Sequence, residues 1–139
     1  MIEKTFVDSN ILLYAHDSQA GPKQSIAAAR LTELWHNRAG RLSAQVLQEF
    51  YVNVTRKIPR PLPPSLAREI IRNYTPWLET PTTAATIVRA SELSELSQLS
   101  FSDSLILASA EQDAAAILLT EDLNHGQSIA GITIVNPFR

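Results

Sequence analysis

The chain contains no cysteine. That absence excludes disulfides, zinc–thiolate centres and cysteine nucleophiles, and it agrees with a reducing cytoplasm, the expected location. No apolar run approaches the roughly 18 residues that span a bilayer, so no membrane association is expected. Met1 to Asn10 mixes acidic with apolar side chains and does not read as a secretory signal. Excess positive charge is lacking too: 12 Lys and Arg stand against 14 Asp and Glu, for a formal net charge of −2. A protein that grips nucleic acid through bulk charge is more basic than this. Any such contact must be local, with a cation helping at the site. Internal repeats and low-complexity tracts are absent as well.

What is present is 139 residues, 45% of them apolar. That composition predicts one domain spanning residues 1–139, with a sizeable core. Lys4 to Val7 reads as a buried strand ending at Asp8, followed by a short helix over Asn10 to His16. Pro22 opens a longer helix in which Leu31, Leu34 and Trp35 recur at helical spacing, and Gly40 fits its end. Arg41 to Ser43 is a candidate second strand. Val46, Leu47, Phe50, Tyr51 and Val54 form one face of an amphipathic helix, with Glu49 off the centre of that face near Gln45, Asn53 and Arg56.

The proline-rich stretch Ile58 to Pro64 can be neither helix nor central strand and reads as a stiff connector. Ser65 is expected to cap a helix that Pro76 stops. Trp77 to Thr80 is a candidate third strand, and Thr83 to Leu99 another helix. Ser102 reads as the N-cap of a buried helix that carries Asp103 near its start. Ile117 to Thr120 is a fourth strand ending just before Asp122, and Ile132, Ile134 and Val135 suggest a last strand after Gly131. Strands alternate with helices, so the fold class is α/β: a central, mostly parallel sheet flanked by helices. Such sheets bind ligands beyond the carboxyl ends of their strands, at a switch in strand order.

Asp8 and Asp122 follow strands, Asp103 opens a helix, and Glu49 lies early in the helix after the second strand. Taken singly, each acid is ordinarily a solvated loop or cap residue. Jointly, the strand assignments are expected to place them at one edge of a sheet. At roughly 5 Å and an effective dielectric of about 20, each pair of carboxylates repels by about 3 kcal/mol. A divalent cation removes that conflict. Mg²⁺ takes oxygen ligands, usually one or two carboxylates directly, and the remaining acids can hold its water. Such a site can polarise a phosphoryl oxygen and acidify an attacking water.

These residues fall into four ordered motifs. Phe6-Val7-Asp8-Ser9-Asn10-Ile11-Leu12-Leu13-Tyr14 resembles the first motif of PIN-domain nucleases. Ser43-Ala44-Gln45-Val46-Leu47-Gln48-Glu49-Phe50 resembles the second, with its Glu on a helix. Ser102-Asp103-Ser104-Leu105-Ile106 resembles the third, and Leu118-Leu119-Thr120-Glu121-Asp122-Leu123 the fourth. Val135-Asn136-Pro137-Phe138 resembles the ending of the single-domain toxin branch. The resemblance spans nearly the whole chain. It implies a PIN-like fold, Mg²⁺ or Mn²⁺ as cofactor, and endonucleolytic cleavage of RNA. It further implies a VapC-like toxin of a type II toxin–antitoxin pair, a homodimer with a cognate antitoxin as partner. Carried over residue by residue, Asp8, Glu49, Asp103 and Asp122 are the catalytic and metal-binding acids. Ser9 and Asn10 brace Asp8 or nearby backbone, and Thr120 supports the fourth acid. The Thr-x-Asp register favours Asp122 over Glu121, which is assigned as peripheral. No further acid follows, since Asn124 and His125 occupy that region.

Arg38, Arg41 and Arg56, with Lys57 and Arg60, are candidate contacts to an RNA backbone, against solvated surface as the ordinary reading of each. His16, His36 and His125 show no metal-ligand spacing. Ser9 has no base in its motif and is not expected to be a nucleophile. Trp35 and Trp77 read as core or interface residues. A haloacid-dehalogenase-type phosphatase would need a second aspartate where Asn10 stands. A receiver-like pocket needs a late lysine, and none occurs between Arg89 and Arg139. A non-catalytic interaction module remains as the third alternative, distinguished by metal dependence.

Overall fold

The computed structural model describes residues 3–139. Its sheet has five strands in the order β2-β1-β3-β5-β4. Strand β1 (Thr5–Val7) lies between β2 (Gly40–Arg41) and β3 (Ile117–Leu119), parallel to both. Strand β5 (Ile132–Val135) adds in parallel to β3, and β4 (Ser128–Ile129) pairs antiparallel at the edge. The chain runs from β1 to one neighbour, β2, and then crosses back to the other, β3. The switch in strand order therefore falls between β1 and β3, and parallel sheets bind ligands beyond the carboxyl ends of the strands at such a point. Asp8 and Asp122 follow those two strands.

All three residues of β1 are buried, as expected of a parallel strand covered on both faces. Phe6, Leu118, Leu119 and Ile134 of the sheet join one core with Ile11 and Leu12 of α1 (Ser9–Ala15), Leu31 and Leu34 of α2 (Pro22–Asn37), and Phe50 and Val54 of α3 (Ala44–Arg56). Phe50 is fully buried, so truncating it to alanine would cost about 3–5 kcal/mol. Its packing fixes the rotation of α3 and hence the direction of its neighbour Glu49. The helices α4 (Pro64–Asn73), α5 (Ala84–Ser97) and α6 (Phe101–Gln112) complete the chain, with α5 and α6 packed on each other.

Several local expectations are corrected. Trp77 to Thr80 is not a strand: Thr75–Trp77 is a 3₁₀ turn, and Leu78 makes only an isolated parallel bridge to Leu42. Pro76 has no N–H for a ladder and suits a turn. Gly40 does not end α2 but lies within β2, where a Cβ would meet the Trp77 indole at 2.5 Å, so only glycine fits. Arg38 takes the left-handed conformation that ends the helix. The cap of α4 is Pro63, with Pro64 in its first turn, and Ser65 is already helical. The cap of α6 is Ser100, whose hydroxyl accepts from the Asp103 N–H at 3.1 Å. Strand β4 was not expected. It joins β5 through Ala130 and Gly131, both at positive φ, the geometry of a tight hairpin turn.

Candidate metal centre

The first motif is the hub of the site. Asp8 ends β1 and caps α1, and its Oδ1 accepts the Ser9 N–H at 2.7 Å. Its Oδ2 accepts the Thr120 hydroxyl at 2.8 Å. The Thr120 oxygen in turn accepts the Asp122 N–H at 3.1 Å and the Asn10 amide at 3.4 Å. Asn10 also donates to Asp122 Oδ2 at 3.0 Å. Ser9 donates to Glu49 Oε1 at 2.9 Å. Three consecutive residues, Asp8, Ser9 and Asn10, thus tie β1 to α3 and to the loop after β3.

Carboxylate oxygens of Asp8, Asp103 and Asp122 all lie within 4.8 Å of one another. Asp8 is buried, Asp103 half-buried and Asp122 exposed, which grades the site from core to rim. Burial is the main cause that raises the Asp8 carboxyl from the usual 3.8 to about 6. The Thr120 and Ser9 hydrogen bonds oppose that rise, and the charges of Asp122 and Glu49 add to it. Desolvation, followed by the charge of Asp103, also raises Asp122. Asp103 occupies the first turn of α6, where the helix dipole favours a negative charge.

Glu49 lies outside that three-acid cluster but against it. Its Oε2 accepts the Ser102 hydroxyl at 3.1 Å and the Gln45 amide at 3.4 Å, while Ser9 holds Oε1. Gln45 also donates to the Ser102 carbonyl at 3.1 Å, tying α3 to α6. Ser102, expected as a cap, thus serves Glu49 instead. The i, i+4 spacing of Gln45 and Glu49 was the available signal for that bond. Glu121 turns away from the cluster, accepting from Tyr14 Oη at 2.5 Å and pairing with Lys23.

The remaining candidates scatter. Arg38 and Arg41 line a cavity of about 630 Å³ with Trp35, Trp77 and Glu79. Arg41 is paired with Glu79, which also binds Lys4 before β1. Those two arginines therefore sit toward the amino ends of the strands, opposite the acids. Arg56 is exposed on α3, two turns beyond Glu49 and on nearly the same helical face. Lys57 joins Glu49, Gln48, Val52 and Asn53 around a shallow cavity of about 270 Å³. His125 accepts the Asn136 N–H at 3.0 Å and His16 packs edge-on against Phe50, so both have structural partners. The Asn10 amide spans Thr120 and Asp122, which does not favour the phosphatase alternative.

The PIN domain family model matches residues 5–127. The chain belongs to the PIN domain family. Solved structures similar to this PIN domain include the sarcin-ricin-loop-cleaving toxin VapC20 of Mycobacterium tuberculosis, at 20% identity and TM-score 0.61, covering 83% of this chain and 87% of that one. VapBC2 of Rickettsia felis, bound to a fragment of its promoter DNA, is 20% identical with TM-score 0.64, covering 94% and 96%. DNA-bound VapBC of Salmonella typhimurium is 16% identical with TM-score 0.66, covering 96% and 97%. At these identities the likeness speaks for the PIN fold. No curated protein matches the sequence.

Hard oxygen donors at this spacing fit Mg²⁺ or Mn²⁺ rather than a soft metal. A buried, hydrogen-bonded aspartate raised by its surroundings, with two more acids within reach, is also a group whose ionised form a cation would stabilise. Asp8, Asp103 and Asp122 are the residues that could hold it.

Proposed function

We propose that this PIN domain is a metal-dependent endoribonuclease and the toxin of a type II toxin–antitoxin pair. The convergence of Asp8, Asp103 and Asp122 oxygens within 4.8 Å of one another carries the reading. A divalent cation held there would polarise a phosphoryl oxygen and offset the charge that develops on it during hydrolysis. Glu49, fixed by Ser9, Ser102 and Gln45 just outside the cluster, orients the attacking water and accepts its proton. Thr120 and Ser9 hold the Asp8 carboxylate in one orientation, and Asn10 sets the distance to Asp122. Lys57 and Arg56, along α3 from Glu49, contact the RNA backbone. Arg38 and Arg41 are left out of that path, since they lie toward the other end of the sheet.

Structural neighbours that are toxin–antitoxin complexes on DNA support an antitoxin protein as partner; a homodimer as the working form is carried by the motif resemblance alone. The test is incubation with total cellular RNA, with and without Mg²⁺, with Asp8→Asn as control. Discrete cuts should appear with metal and vanish on chelation and in the variant. Cleavage that survives thorough chelation would overturn the metal-dependent reading.

A further inference from the structure

Two acids stand side by side after β3, and they point different ways. Asp122 joins the three-acid cluster, although it is exposed and lies in a segment with neither helix nor strand. Among the described residues its side chain has one hydrogen-bond partner, Asn10. Glu121 is far better held. Tyr14, at the end of α1, donates to its Oε1 at 2.5 Å, and Lys23, in the first turn of α2, pairs with its Oε2. The Lys23 ammonium also lies 4.8 Å from the centre of the Tyr14 ring and 5.3 Å from that of Phe138. Tyr14 and Phe138 meet edge to face at 5.2 Å. An aromatic pair thus backs a cation that backs a carboxylate, and α1 and α2 both hold the one side chain.

We infer that Glu121 is a positioning residue, which through Tyr14 and Lys23 locks the loop after β3 so that Asp122 is presented to the metal centre. An exposed acid on a free loop would spend part of its binding energy on being ordered. Anchoring the preceding residue restricts the backbone next to Asp122 and so the directions its carboxylate can take. The same contacts keep Glu121 from entering the cluster as a competing acid, since both of its oxygens are occupied. The inference rests on the metal-centre reading for its consequence, but the lock itself is independent of any metal.

The experiment uses the full chain with Glu121→Ala, Glu121→Gln, Tyr14→Phe and the Tyr14→Phe/Glu121→Ala double variant. Mn²⁺ affinity is read directly by electron paramagnetic resonance. Glu121→Ala should weaken it roughly tenfold, the usual scale for losing a group that orients a metal ligand. Glu121→Gln still accepts from Tyr14 and should recover most of the affinity. Tyr14→Phe should weaken binding in the native background and add nothing in Glu121→Ala, because the two act as one unit. Amide hydrogen exchange without metal gives a second readout. The Asp122 N–H, bonded to Thr120, should exchange about tenfold faster in Glu121→Ala, the scale of one charge-assisted hydrogen bond. Unchanged Mn²⁺ affinity with unchanged exchange, or additive effects of Tyr14 and Glu121, would overturn the inference. If the native chain binds no Mn²⁺, or Asp8→Asn binds it equally, the metal-centre reading fails instead. The exchange rates then decide the lock alone, and Tyr14→Phe decides it if Glu121→Ala does not fold.

Discussion

Replacing Asp8 with asparagine removes a charge from the core end of the site while keeping the shape of the side chain. The native carboxyl is raised from 3.8 to about 6, chiefly by burial. Because the folded state holds the proton more tightly than the unfolded state, folding is favoured at low pH. The contribution is fully present below pH 4 and is lost as pH rises through about 6. Holding the carboxylate ionised at pH 8 therefore costs about 3 kcal/mol, at about 1.4 kcal/mol per pH unit. Asparagine stays neutral and escapes that cost. Its oxygen can still accept the Ser9 N–H, but its amino group meets a Thr120 hydroxyl already accepting from Asp122 and Asn10. That mismatch returns about 1 kcal/mol. The net gain without metal is about 2 kcal/mol at pH 8, or roughly 6 °C in melting temperature for a chain of this size. At pH 4 the gain should vanish or reverse slightly. Saturating Mg²⁺ should stabilise the native chain and not the variant, by about 2.7 kcal/mol at a hundredfold excess over the dissociation constant. The assay is thermal melting by circular dichroism at pH 4, 6 and 8, in chelator and in Mg²⁺. A variant less stable than the native chain at pH 8 in chelator, or a difference that ignores pH, would refute the reasoning and make Asp8 a structural acid.

Thr120→Val keeps the shape but strips Asp8, Asp122 and Asn10 of their shared hydroxyl. It should cost about 1–3 kcal/mol by denaturant titration and lower cleavage more than ten-fold by the scale of such supporting groups. Gly40→Ala drives a Cβ to within 2.5 Å of the buried Trp77; melting should show a loss of about 1–3 kcal/mol with metal affinity unchanged. Mn²⁺ affinity should rise with pH through about 6, as Asp8 gives up the proton that competes with the cation; isothermal titration at pH 5 and 7 checks the direction. Lys57→Ala should raise KM for RNA while Arg38→Ala leaves it unchanged, if the backbone path follows α3 as proposed.

The four acids could be singled out from sequence because each sits in a short motif tied to a strand end or helix start. Which of them close on one another could not: Asp8, Asp103 and Asp122 come within 4.8 Å while Glu49 stays outside, and that depends on β3 lying directly beside β1. Alternation of strands and helices predicts a crossover without saying where the order reverses. Ser102 was misread because Phe101 is 46% exposed, and an exposed phenylalanine hides the first turn of a helix from pattern reading. Trp77 to Thr80 carried strand-like residues, yet its indole is committed to the face of Gly40, a contact no periodicity reports. Strand β4 has only two residues, too few to show alternation. The opposite directions of Glu121 and Asp122 are set by Tyr14 and Lys23, about a hundred residues earlier.

The seating of β1 between β2 and β3 has a consequence for synthesis. On a growing chain, β1 and β2 emerge early, joined by α1 and α2. The neighbour on the other side comes from residues 117–119, and that neighbour is itself flanked by residues 132–135. Closing so long a loop costs chain entropy before the contacts it makes repay it. A ribosome-bound or prematurely ended chain lacking β3 holds Asp8 without Asp122, its partner across the crevice. The proposed metal centre would be complete only when those late residues are in place.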